Sequence, residues 1–240
     1  MRRAACAAIL VSLVAAPAAG DIVLGLPIDC EIGHTCHIQQ LVDHDPGPGQ
    51  RDYTCGSLTY DGHKGTDFAL PSLAEMQAGV NVLAAASGTV TAVRDGMADV
   101  AYTPDRAAQI DGRECGNGIV IRHADGWETQ YCHLRNGSVR VSKGMQVDRG
   151  QILAQVGLSG LTQFPHVHLS LRHNGKVIDP FAPAPDATCA RPSGNLWQVT
   201  PPAPPGALIR IGFAPAIPDY GTIKAGQAAR DHLSPDAPAL

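Results

Sequence analysis

Apolar and polar positions alternate in short runs through the middle of the chain, and glycine-containing turns separate the runs. Residues 81–86, 88–93, 117–122, 127–133, 138–141 and 151–156 are β-branched or apolar segments divided by pairs such as Ser87-Gly88, Asp95-Gly96 and Lys143-Gly144. This pattern predicts one short strand after another. Only residues 72–78 suggest a helix, and a brief one. A further run, Phe164-Pro165-His166-Val167-His168-Leu169-Ser170-Leu171, reads as the start of a strand. The fold class implied is mainly β: an antiparallel sheet folded over on itself into a sandwich-like core, with long loops forming a groove at one end. Residues 99–116 make a long connection expected to wall one side of that groove, because long loops in compact domains are usually functional.

The two ends of the chain depart from this pattern. Residues 1–19 read as a signal peptide: Arg2 and Arg3 form a positive start, 4–14 is apolar, and Ala16-Pro17-Ala18 offers small residues for cleavage. The apolar stretch is too short to anchor in a bilayer, so the chain is expected to be exported, periplasmic or extracellular, with no transmembrane segment after cleavage. Residues 20–59 read as an irregular, Cys-containing segment, since Asp45-Pro46-Gly47-Pro48-Gly49 is turn chemistry. His34, His37 and His44 within it are expected to be solvated loop residues. Beyond Ala182-Pro183-Ala184-Pro185 the composition shifts, and 183–240 reads as a Pro-rich linker and C-terminal segment, either a small β-module or an unstructured tail.

Composition sharpens this picture. The chain has 26 Gly, 19 Pro and only 5% aromatic residues, which favours turns and strands over helices. A formal net charge of -4 with no basic run excludes nucleic acid as a natural partner. Once Cys6 leaves with the signal peptide, Cys30, Cys36, Cys55, Cys115, Cys132 and Cys189 remain. Export makes disulfides the expected state of these thiols, and none shows the Cys-x-x-Cys spacing of a zinc ribbon. Cys115 and Cys132 flank an expected hairpin over 118–133 and are the expected pair.

Candidate chemistry sits in two half-sites. In Asp61-Gly62-His63-Lys64-Gly65-Thr66-Asp67, His63 and Asp67 stand four apart and share one side of either an extended or a helical backbone. Far downstream, His166 and His168 stand two apart on the expected strand and project from the same face. Imidazoles and a carboxylate are zinc ligands, and three of them with a fourth position left open make a catalytic site. Either half-site alone is matched by an ordinary ion pair or a half-buried strand. Both in one exported chain point to a metal.

These residues also match a family pattern. Gly62-His63-Lys64-Gly65-Thr66-Asp67-Phe68, then Tyr131-Cys132-His133-Leu134, then Val156-Gly157-Leu158-Ser159-Gly160 running to Pro165-His166-Val167-His168, resemble the lysostaphin-type zinc peptidases, the LytM or peptidase M23 family of peptidoglycan endopeptidases. The resemblance covers roughly 60–181 and implies a catalytic domain over 60–182. It implies Zn2+ held by His63, Asp67 and His168, with His133 and His166 as catalytic histidines that are not ligands. It further implies an exported zinc-dependent endopeptidase that hydrolyses peptide bonds in peptidoglycan crosslinks. The alternatives are a non-catalytic wall-binding regulator of a partner hydrolase and a zinc peptidase acting on non-wall proteins. Degenerate members of the family lose ligands, and this chain keeps every motif position. Two departures stand out: Phe164 precedes Pro165 where the family usually has Gly, and Ser170 stands where it often has Glu. Neither is expected to touch a ligand, although 161–164 is expected to reshape the groove. Cys132 inside the Tyr-x-His-Leu stretch is an elaboration, and His123 and His173 match no motif position.

Overall fold

The computed structural model describes residues 21–184 and 194–203, together with Gly221 and Lys224. The strands are, in chain order, β1 (His37–Gln40), β2 (Thr66–Ala69), β3 (Asn81–Leu83), β4 (Gly88–Arg94), β5 (Asn117–Arg122), β6 (Trp127–Leu134), β7 (Gln146–Val147), β8 (Ile152–Gln155), β9 (His166–His173) and β10 (Lys176–Val177). Two short helices, α1 (Leu73–Ala78) and α2 (Ala107–Ile110), lie between them. Strands β1, β2, β9, β6, β5, β4 and β7 lie side by side in that order, β10 pairs with β9, and β3 pairs with β8 in a second sheet. Every pairing between these strands is antiparallel. The fold is mainly antiparallel β, as the alternation implies.

One core serves both sheets. Phe68, Tyr131 and Leu169 of the large sheet are buried with Val82 and Leu153 of the small one. Tyr131 is fully buried and keeps a polar partner, because its hydroxyl accepts a hydrogen bond from the Ala85 amide at 2.8 Å. Helix α1 shows how locally its limits are written. Ser72 accepts from the Ala74 amide as N-cap and bonds the Glu75 carboxylate, and Gly79 ends the helix at φ 90°.

The structure corrects several expectations. Residues 138–141 are not a strand: they run beside β8 through single bonds, Arg140 N to Leu153 O at 2.8 Å and Gln155 N to Ser138 Oγ at 3.0 Å. Residues 20–59 are not merely irregular, since they supply β1 and bury Leu24, Ile28 and Leu41. Four strand residues are too few for alternation to reveal them. His37 opens β1, and His44 lies 2.8 Å from the buried Asp179 carboxylate, so neither is a solvated loop residue; His34 is exposed. Cys36 is joined to Cys30. Cys115 is joined to Cys132 as expected, and Cys55 is also disulfide-bonded. The expected signal peptide over 1–19 and Cys189 lie outside the described residues. Of the C-terminal segment, Leu196 and Trp197 are buried, with Trp197 packed on Phe68 and Phe181.

Candidate metal centre

The site is built on the ladder between β2 and β9. Their register sets Asp67 directly opposite His168, and Ala69 opposite His166. A cross-strand pair of this kind brings two side chains together without any special backbone geometry, and His168 Nδ1 lies 2.8 Å from Asp67 Oδ1. His63 enters from the loop before β2. Its Nε2 lies 3.2 Å from Asp67 Oδ2 and 3.1 Å from His168 Nδ1. Gly65 is what lets this loop close, since a Cβ there would stand 2.6 Å from the His168 ring and from Leu169 O. Ligand atoms of His63, Asp67 and His168 all fall within 4.8 Å of one another. The two half-sites of the sequence therefore meet.

Hydrogen bonds behind the rings decide which nitrogens face inward. His63 Nδ1 donates to Leu41 O at 2.6 Å, which in the neutral ring leaves Nε2 as a lone pair. The Ser170 hydroxyl donates to Lys64 O at 3.0 Å and so must accept from His168 Nε2 at 2.9 Å, which leaves His168 Nδ1 as a lone pair. With both rings neutral, two imidazole lone pairs and a carboxylate converge, and neither facing nitrogen carries a proton. That donor set fits a divalent cation, and a bonded outer nitrogen on each histidine is the usual support of a metal-ligating imidazole. Ser170 thus does touch a candidate ligand, contrary to expectation. The face rule that pairs His166 with His168 also puts position 170 on that face, and this signal was available in the sequence.

His133 and His166 flank this trio. His166 Nδ1 lies 2.8 Å from Phe164 O as donor, and its Nε2 faces Asp67 Oδ1 at 3.6 Å. Phe164 therefore also reaches the site, through its carbonyl. His133 Nδ1 donates to Ser159 O at 2.8 Å, and its ring centroid is 4.6 Å from that of His166 and 6.2 Å from that of His168. Among the described residues neither Nε2 makes a hydrogen bond. His133 reaches this place through irregular backbone. Between the pairs Asn117↔Leu134 and Ile119↔Tyr131, Gly118 of β5 stands opposite both Cys132 and His133 of β6. His133 has φ 62°, a left-handed conformation that costs roughly 1–3 kcal/mol outside glycine. Such a bulge re-aims a side chain. By contrast, His123 is tied to Ser87 O and Thr129 Oγ1, and His173 stacks on Trp127, both away from the trio.

Electrostatics follow from this crowding. Burial by itself would raise the Asp67 carboxyl, but His166, His168 and His63 around it hold it well below its ordinary value. Burial would lower His63, yet the Asp67 carboxylate raises it above the ordinary imidazole value. His133 is held well below that value by burial, with the His166 and His168 rings adding to the effect. Burial lowers His166 as well, against the pull of Asp67. The two flanking rings are thus kept neutral.

The trio lies where two arms of a cleft meet. One arm, about 400 Å³, is lined by Gln40, Tyr102, Leu161, Gln163 and Phe164, so that 161–164 does shape the groove as expected. The other, about 530 Å³, is lined by Lys64, Glu114, Gln130 and Arg172 together with Cys115 and Cys132. Residues 99–116 wall this cleft through Tyr102, Glu114 and Cys115. Tyr60, which sequence reasoning passed over, lines both arms with its ring centroid 4.5 Å from that of His63. Burial against the cleft and the Asp67 charge push its hydroxyl up to about 12, so it remains a donor at neutral pH.

The chain is similar to several known proteins. The chain is 32% identical over 133 residues to the DD-carboxypeptidase/endopeptidase Mpg of Neisseria meningitidis, covering 53% of this chain and 25% of that one. It is 30% identical over 117 residues to the peptidoglycan DD-endopeptidase ShyA of Vibrio cholerae, covering 49% and 22%. It is 29% identical over 118 residues to the cell division protein DipM of Caulobacter vibrioides, covering 49% and 18%. The match thus spans a quarter or less of each of these relatives. Among solved structures, the catalytic domain of the prophage-encoded M23 protein EnpA from Enterococcus faecalis is 24% identical with a TM-score of 0.42, covering 67% of this chain and 94% of that chain. The model of peptidase family M23 matches residues 61–180, half of the chain, and the chain belongs to that family.

Proposed function

We propose that this chain is an exported zinc-dependent endopeptidase that hydrolyses peptide bonds in peptidoglycan crosslinks. His63, Asp67 and His168 hold the ion, and His133 and His166 are the catalytic histidines. The observation that carries this reading is the inward pairing of two imidazole lone pairs with the Asp67 carboxylate, beside two further rings whose outer nitrogens are already committed. Zinc bound there would polarise a scissile carbonyl and bring the pKa of water to about 7.

The chain's own residues do the rest. His133 and His166 each donate Nδ1–H to a carbonyl, so Nε2 is the nitrogen left to work on the substrate. Both are neutral at working pH because burial disfavours their charged forms. A neutral imidazole can take the proton of the attacking water, and its partner can then bond the developing oxyanion or return a proton to the leaving amine. The two arms of the cleft hold the peptide on either side of the cut bond. Residues 60–182 form the catalytic part, 1–19 direct export, and no described helix is long and apolar enough to cross a membrane.

The similarity to peptidoglycan DD-endopeptidases favours a wall substrate. The test incubates purified protein with peptidoglycan and, separately, with a glycine-rich protein, each with and without chelator. New amino termini in peptidoglycan alone, abolished by chelator and restored by zinc, are expected. Cleavage of the protein alone would replace the substrate, and no cleavage of either would replace the enzyme by a wall-binding regulator.

A further inference from the structure

His133 is the one site histidine whose aim depends on broken strand pairing, and a disulfide sits at the break. Cys132, the residue before it, is joined to Cys115, which precedes β5. The amide of His133 donates to the carbonyl of that same Cys115 at 2.8 Å. One residue thus holds the bulge twice, through its sulfur and through its backbone. Gly118, the residue opposite the bulge, leaves room for this. A Cβ there would stand 2.7 Å from Cys115 Sγ and 2.8 Å from Tyr131 O.

The other side of the bulge is braced by backbone. Gly116 has φ 64°, and a Cβ on it would meet Ser159 C and O at 2.4 Å, so the 113–116 turn lies flat against Ser159. Ser159 O is the acceptor of His133 Nδ1, and Leu161 N donates to Glu114 O at 2.8 Å. Tightly packed backbone on one side and a covalent bond on the other leave the left-handed conformation of His133 little freedom. None of this touches His63, Asp67 or His168 except through Cys132, which is paired across the ladder with His168.

We propose that the Cys115–Cys132 disulfide is a positioning device for His133: it pins the β-bulge that turns this ring into the site, so that turnover depends on the bond while metal binding does not. The inference rests on the reading of His133 as catalytic. Small displacements of a catalytic group are costly, on the order of a hundredfold in rate for about 1 Å.

The experiment compares wild type, the double variant Cys115→Ala/Cys132→Ala, and the control Cys30→Ser/Cys36→Ser, all in the zinc-loaded full chain. Zinc content, kcat and KM on a crosslink peptide, and long-range 1H–15N spectra of the imidazoles are measured. The expected result for the double variant is zinc near one equivalent, KM within about threefold, and kcat lower on the order of ten- to a hundredfold. Its spectrum should show His133 losing the fixed Nδ1–H tautomer, while the control resembles wild type. Gly118→Ala keeps both cysteines yet crowds Cys115 Sγ, and should show the same fall in kcat with zinc retained; it decides the matter if the double variant does not fold. Wild-type kcat in either folded variant overturns the proposal. So does loss of zinc together with kcat, or an equal fall in the control. An inactive wild type would overturn the reading of the enzyme, and an unchanged His133 tautomer in the double variant would still overturn this one.

Discussion

The two sides of the site are made in different ways. Asp67 and His168 meet because two regular strands pair in register, and one glycine lets His63 close over them. His133 arrives because a ladder fails, and its conformation is held by a disulfide, a tight turn and carbonyl acceptors. Regular pairing is supported by every rung on either side of it, whereas a bulge is supported by whatever braces it locally. Metal binding should therefore tolerate distant change, and turnover should be the more fragile property.

The sharpest test of the regular side is Asp67→Ala. Removing one of three ligands should cost both zinc and all measurable activity, and metal analysis showing full occupancy would sink the ligand assignment. On the flanking side the loss should be of another kind. His166→Ala and His133→Ala should each keep zinc near one equivalent and lose on the order of a hundredfold in kcat, the scale of a positioned acid-base group. If His166→Ala loses zinc while His168→Ala keeps it, the two roles are exchanged.

Ser170→Ala probes what stands behind a ligand. Without the hydroxyl that accepts from Nε2, His168 is no longer held with Nδ1 inward, and zinc affinity should fall about ten- to a hundredfold in competition with a chelator. An unchanged affinity would mean that packing alone orients the ring.

The smallest effect concerns the loop that backs His63. Asp52 accepts from Thr54 N and Oγ1, Gly56 N and Leu58 N. The Leu58 carbonyl in turn bonds the amide of Leu41, whose own carbonyl holds His63. Burial would raise the Asp52 carboxyl, but these donors hold it below the ordinary carboxylate value. Its stabilisation is therefore present above that value and lost as pH falls through the lower, folded one. Asp52→Asn should cost about 1–3 kcal/mol at pH 7 in denaturant unfolding, with the difference shrinking toward zero in strong acid. A difference independent of pH would show that the charge is not what the loop uses.

What the sequence by itself determined is what a few neighbouring residues can encode. Alternation marked most strands of the two sheets, Ser72 and Gly79 bounded α1, and two spacings, four between His63 and Asp67 and two between His166 and His168, announced the site. The Cys115–Cys132 pair could also be read, because its partners flank one hairpin. Only the tertiary structure decided the rest. The carbonyl that turns His63 belongs to Leu41, 22 residues away, and His44 finds Asp179 at a separation of 135. The bulge at His133 is invisible in a strand pattern that β6 otherwise follows, since it exists only relative to the register of β5. Strand β1 is too short to alternate and becomes a strand only by pairing with β2. Periodicity, spacing and capping act within a turn or two of chain; register and the bonds that fix a ring's tautomer require distant segments to be in place.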